Sequence, residues 1–160
     1  MRGILILFIL LVVSAPVMSD TLTGRVLRVN DGDFLVVLGA GNAQYGIRLS
    51  GIIAPEIGQP YGQNSMTNLS DLVTGKYVVV DYARRDRYGR IVGKVLLNGQ
   101  DMNLEQIKAG LAWHNKETMN EQLAKDWALY AAAEDEAKAA KRGLWNDPNP
   151  VPPQEWQREK

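Results

Sequence analysis

Cysteine is absent from this 160-residue chain, so its stability owes nothing to disulfides and the core must suffice alone. Histidine occurs once, at His114, which removes any His-rich metal centre from consideration. A lone histidine beside Trp113 reads as a packed side chain rather than a catalytic one. An excess of positive charge is also missing. Eighteen basic side chains meet eighteen acidic ones, so any affinity for a polyanion has to come from a local patch and not from the protein's overall field. Long hydrophobic runs are scarce: the only one of note, Ile4 to Val13, has ten residues, about half of what a spanning helix needs.

That single run has the flanks of a secretory signal peptide. Arg2 supplies the positive start, and Val17 and Ser19 are small enough for a cleavage site before Asp20. Residues 1–19 are therefore expected to be removed on export, leaving a secreted or periplasmic bacterial protein with no stable membrane association. Arg2 leaves with them, so the mature chain carries 17 basic and 18 acidic side chains, a net charge of −1. Its roughly 140 residues are enough to bury a core without staples. Residues 20–146 form the expected domain, and 147–160 a proline-rich tail, in which four prolines between Pro148 and Pro153 predict an extended course.

Within the domain, the first half has the rhythm of a meander. Thr21 to Val29 alternates and is β-branched, Phe34 to Leu38 is a buried-type run, and Gln44 to Ile52 follows a turn-prone stretch. Met66, Leu69, Leu72 and Val73 then share one helical face, with Gly75 placed to end it. Tyr77 to Tyr82 and Ile91 to Leu97 read as a second strand pair around DRYGR, closed by Asn98-Gly99. Asn103 and Gln106 have capping-box spacing ahead of another apolar face, and a last helix is expected from about Glu121 to Arg142. Trp145 should pack back on the core. Five short strands, a helix between the third and fourth, and terminal helices predict an α+β, β-rich fold: a five-stranded OB-type barrel with flanking helices.

The chemistry is concentrated in RLSGIIAPE (Arg48 to Glu56), the DGD turn (Asp31 to Asp33) and DRYGR (Asp86 to Arg90). Hydrolysis of a phosphodiester needs an activated water, neutralisation of charge at phosphorus, and positioning. Arg48 and Arg90 can each give two hydrogen bonds to phosphate oxygens. Asp33 can ligate a hard divalent cation, and Glu56 can orient or deprotonate a water. Taken singly each has a plainer explanation, as a surface arginine, a tight turn, an exposed glutamate or a charged hairpin.

Taken in order, VNDGDFLVVL, IRLSGIIAPE, GQPYGQ, DRYGRIVGKVLL, NLEQIKAGLAW, KRGLW and DPNPVPP resemble the staphylococcal (thermo)nuclease-like family, in particular its exported Gram-negative members. The resemblance covers nearly all of Thr23 to Trp156. It implies an OB-fold barrel, calcium as cofactor, and DNA or RNA as partner, with a monomer expected. By the same resemblance Asp33 is the first calcium carboxylate, the Ala54 carbonyl a further metal ligand, Arg48 and Arg90 the phosphate-binding arginines, and Glu56 the general base. Arg87 and Tyr88 fall where the family contacts a nucleotide's terminal phosphate.

Three positions depart from the pattern. DGDT and GIDAPE are usual in the family, whereas this chain has Phe34 and Ile53, and Ile53 cannot replace the second calcium carboxylate. The tyrosines common after the AW pair are replaced by HNKET, His114 to Thr118. The leading expectation is thus a nuclease with a metal site one carboxylate short. A module that binds single-stranded nucleic acid without cutting it is the alternative, and a scaffold whose groove takes a protein is a third. Retention of Glu56 with both arginines favours the enzyme, since a pure binder would have no use for the base.

Overall fold

The computed structural model describes residues 19–158. The expected signal peptide therefore lies outside the described residues except for Ser19. Eight strands and four α-helices follow one another: β1 (Asp20–Asp31), β2 (Phe34–Leu38), β3 (Gln44–Leu49), β4 (Ile52–Ile53), α1 (Gly62–Val73), β5 (Tyr77–Arg85), β6 (Ile91–Leu97), β7 (Gln100–Asp101), α2 (Met102–Lys108), β8 (Trp113–His114), α3 (Ala124–Ala139) and α4 (Pro153–Arg158). Among the described residues no helix is long and apolar enough to cross a membrane.

Strands pair in the order β3-β2-β1-β5-β6, and a parallel pairing of β3 with β6 closes the sheet into a five-stranded barrel. The period-2 pattern explains what fills it. Leu35 and Val37, Ile47 and Leu49, Val78 and Val80, and Ile91 and Val95 all point inward and are fully buried or nearly so. Leu69 and Val73 of α1, Met102 and Ile107 of α2 and Tyr130 of α3 extend the same core beneath the barrel. The Asn98-Gly99 turn takes the left-handed backbone at both residues, φ 52° and 81°, as a tight hairpin requires.

Three local expectations are corrected. The α2 cap is Asp101, whose side chain accepts the Leu104 N–H at 3.1 Å, and not an Asn103–Gln106 box. Asn103 is instead fully buried, accepting the Val95 N–H at 3.0 Å and donating to the Ser50 and Gly93 carbonyls. The last long helix begins at Ala124 and not at Glu121, because Lys116–Glu121 forms a 3-10 turn and Gln122 and Leu123 are extended. The proline-rich tail is not extended throughout. It ends in α4, with Pro153 at the first helical position where its missing N–H costs nothing. Trp145 packs as expected, edge-on to Trp113 with ring centroids 6.2 Å apart.

Candidate active site

The β2–β3–β6 registers build the cationic part of the site. Arg48 lies opposite Phe34 on one side and Val92 on the other, on the outer face of the barrel, while its neighbours Ile47 and Leu49 fill the interior. The Arg48 guanidinium donates from Nη2 to Glu121 Oε1 at 2.5 Å. Arg84 donates to the same oxygen. Glu121 is the last residue of the 3-10 turn that precedes α3.

Arg90 is held differently. The DRYGR sequence folds as a turn around the Asp86 carboxylate, which accepts the Tyr88 and Arg90 N–H groups at 2.9 and 3.0 Å and the Arg90 Nε at 2.7 Å. Burial works against the charged form, but the hydrogen bonds from Arg90 and from the turn's own amides hold the Asp86 carboxyl below the usual range. Aromatic rings cover the guanidinium: its carbon lies 5.3 Å from the Phe34 ring centroid and 5.4 Å from that of Tyr88. Gly46 leaves the space for Phe34, since a Cβ there would stand 3.1 Å from the ring. Phe34 thus neighbours Arg48 across the ladder and covers Arg90 with its ring. Arg87 also stacks on Tyr88, 4.8 Å from its centroid, and Tyr88 is largely exposed at the tip of the turn.

The acidic pocket is built on the DGD turn. Gly32 packs against α1 so tightly that a Cβ would come within 1.8 Å of Ser65 Oγ. The buried Gln106 amide donates to the Gly32 carbonyl at 2.8 Å and to the Ser65 carbonyl at 3.0 Å, tying the turn to two helices. Asp33 Oδ2 accepts the Ala54 N–H at 2.7 Å. Burial first, and the nearby Asp31 charge second, raise the Asp33 pKa to about 8, with Arg48 pulling the other way. Ile53 faces none of this with a polar atom. It lines a cavity of about 260 Å³ together with Trp113, His114 and residues of α4. Among the described residues no group of three or more His, Cys, Asp and Glu side chains could hold a metal ion. What remains for a hard cation is a pair of carboxyls, Asp31 and Asp33, beside the Ala54 peptide. Their mutual repulsion is what a divalent charge would relieve, so this pair fits calcium as a weak, water-rich site.

Glu56 follows Ala54 by two residues. Its peptide N–H donates to Gln59 Oε1 at 3.1 Å, its carbonyl accepts the Gln59 N–H at 2.9 Å, and Gly62 must be a glycine to clear that carbonyl, because a Cβ would lie 1.8 Å from it. Gln59 in turn donates to the Val151 carbonyl at 2.5 Å, and Gln157 of α4 donates to the Glu56 carboxylate. The tail is therefore docked against the loop that carries Glu56.

A family model described as staphylococcal nuclease homologue matches residues 46–147. The chain belongs to the staphylococcal nuclease homologue family. It is 42% identical over 153 residues to an uncharacterized endonuclease of Escherichia coli, covering 95% of each chain. It is 39% identical over 137 residues to an uncharacterized endonuclease of Haemophilus influenzae, covering 86% of this chain and 74% of that one. A staphylococcal-like nuclease of Arabidopsis thaliana is 40% identical over 118 residues, 73% of this chain and 34% of its own.

Of the residues the sequence singled out, the structure joins Arg48 to Asp33 through its charge, Ala54 to Asp33 through a hydrogen bond, and Arg87 to Tyr88 by stacking. His114 is buried and packed, edge-on to Trp127 and Tyr130, with Nε2 3.1 Å from Gln122 Oε1. Sequence reading missed Glu121, Asp31, Gln106 and Gln157. Asp31 was in view as the first residue of DGD but taken only as a turn former. Gln106 left a signal too, as an amide on an otherwise apolar helix face.

Proposed function

We propose that this staphylococcal nuclease homologue is an exported, calcium-dependent enzyme that hydrolyses phosphodiester bonds of DNA and RNA, with calcium held more weakly than a full set of carboxylates would hold it. The observation that carries the reading is a pair of anchored arginines, Arg48 held by Glu121 with its charge acting on the Asp33 carboxyl, and Arg90 held by Asp86 beneath the Phe34 ring. Fixed guanidiniums acting on developing phosphorane charge are worth far more than mobile ones, because nothing has to reorganise as the charge appears. Arg48 has donors left beyond the one given to Glu121. Arg90, anchored through Nε, keeps both terminal nitrogens for the phosphate. Glu56 orients and deprotonates the attacking water through the carboxylate oxygen that Gln157 leaves open. Calcium bound at Asp33, Asp31 and the Ala54 backbone would neutralise charge on a non-bridging oxygen and help place the phosphate.

β1 begins at Asp20, so cleavage before that residue would leave every described strand intact. A monomer fits a barrel that closes on itself with no free sheet edge among its five strands.

Release of acid-soluble nucleotides from single-stranded DNA and from RNA, in calcium, tests the reading. The parent should release them and Glu56→Gln should not. Binding of single strands without release by the parent would favour the alternative, a nuclease-like fold kept for binding, for which the apolar Ile53 is the supporting observation.

A further inference from the structure

Strand β5 changes register near its end. Its pairing with β6 runs from Val79 opposite Leu96 to Tyr82 opposite Gly93, and then passes to Arg84 opposite Val92, leaving Ala83 as an extra residue. A regular ladder would set Arg84 opposite Ile91, whose side chain is fully buried inside the barrel. One inserted residue moves the side chains beyond it to the other face. The bulge at Ala83 thus takes Arg84 out of the interior row and puts it in the outer row of Val92, Arg48 and Phe34. Two strand spacings separate the backbones of Arg48 and Arg84, about 10 Å. Both long side chains nevertheless meet on one oxygen of Glu121.

The exposures show what each member is for. The Glu121 side chain is 1% exposed, Arg48 18% and Arg84 46%, so the carboxylate is the buried pivot and Arg84 the solvent-facing flank. Two guanidiniums against one carboxylate leave a net positive charge at the surface.

The geometry points to Arg84 as a substrate-binding residue that takes a non-scissile phosphate of the nucleic acid strand, next to the phosphate held by Arg48 and Arg90. Glu121 is the positioning residue that sets both guanidiniums side by side. This subsite rests on the nuclease reading of Arg48 and Arg90 and lengthens the strand the enzyme grips on the side away from Phe34.

Binding of a fluorescent single-stranded oligodeoxynucleotide, followed by anisotropy in chelator over a series of salt concentrations, tests the subsite without requiring turnover. Arg84→Ala should weaken binding several-fold at low salt and lower the log–log salt slope by about 0.7, the loss of one phosphate contact on a single strand. Arg84→Lys should keep the parental slope. Lys76→Ala, which removes a charge just before the far end of the same strand, should change neither. In hydrolysis with calcium, Arg84→Ala should raise KM and leave kcat near the parental value. An unchanged slope and affinity in Arg84→Ala, with a parent that binds and cleaves, would overturn the subsite while leaving the nuclease reading in place. A fall in kcat at unchanged slope, or an equal loss in Lys76→Ala, would overturn it too. A parent that neither binds nor cleaves would remove the nuclease reading and the subsite together.

Discussion

Arg48, Arg84 and Arg90 each have an anchor: Glu121 for the first two, and Asp86 with the Phe34 and Tyr88 rings for the third. The acidic pocket on the DGD turn lacks such support. Asp33 has a single N–H donor from the Ala54 peptide and, in Asp31, a neighbour whose charge raises its pKa. One region has its charges paired and covered; the other holds two neighbouring carboxyls, one of them with a raised pKa. The difference separates two demands of phosphodiester chemistry that are usually met together. Binding and charge neutralisation by arginine can be intact while metal affinity is poor, and the two can be varied independently by mutation.

The largest expected effect lies on the arginine side. Arg48→Ala and Arg90→Ala should each lower turnover by about 10²–10³-fold, the cost of removing one preorganised donor from a developing oxyanion. Neither should shift the melting temperature much, since both side chains face solvent in part. Unaltered turnover in either would show that its anchoring serves the fold and not the chemistry.

Stability should respond instead to the buried amide behind the arginines. Asn103 ties the Ser50 carbonyl to β6 through three hydrogen bonds, with no water to replace them. Asn103→Ala should cost about 2–3 kcal/mol in denaturant unfolding, because it leaves buried backbone groups unpaired. A loss of activity without a loss of stability in that variant would contradict the division between fold and chemistry.

On the acidic side the expected change is a gain. Ile53→Asp adds a ligand charge, so the calcium needed for half-maximal hydrolysis should fall about tenfold, equivalent to roughly 1.4 kcal/mol of binding. Glu56→Gln in that background should abolish the hydrolysis gained. An unchanged calcium requirement, measured by titrating activity, would mean that Ile53 does not limit the pocket.

The smallest effect concerns His114, which lies outside both regions. Burial holds its pKa below the ordinary value, against the Gln122 hydrogen bond and the Glu134 charge, and the Lys116 charge adds to the lowering. The unfolded chain therefore takes up this proton first, so stability is full above about pH 6.5 and is lost as pH falls from there through the folded value. His114→Gln should flatten that part of the stability profile, seen by melting at several pH values, and leave the calcium response untouched.

The barrel was legible in the sequence because period-2 alternation states which side chains point inward, and Asp86 to Arg90 was legible as a turn because Asp and Gly favour turn geometry. The arginine anchors were not. Glu121 stands 73 residues from Arg48, and local pattern assigned it to the start of a helix that its pairing with Arg48 and Arg84 delays to Ala124. Asn103 and Gln106 had capping-box spacing, and only tertiary packing shows that both amides are spent on buried backbone. The tail misled in the same way. Its prolines suggested an extended course, although Pro153 followed by Glu155 in the first turn was a helix start in its own right. The departure at Ile53 needed no structure to be seen, but its cavity and the α4 helix that borders it did.

The central claim is that the arginines are ready and the cation site is not, and titrating calcium against hydrolysis of single-stranded DNA by the unaltered mature chain tests it most directly. Hydrolysis should vanish in chelator and keep rising into the range of about 10⁻⁴–10⁻³ M calcium that weak, carboxylate-poor sites occupy. Saturation at micromolar calcium, or equal hydrolysis in chelator, would contradict it.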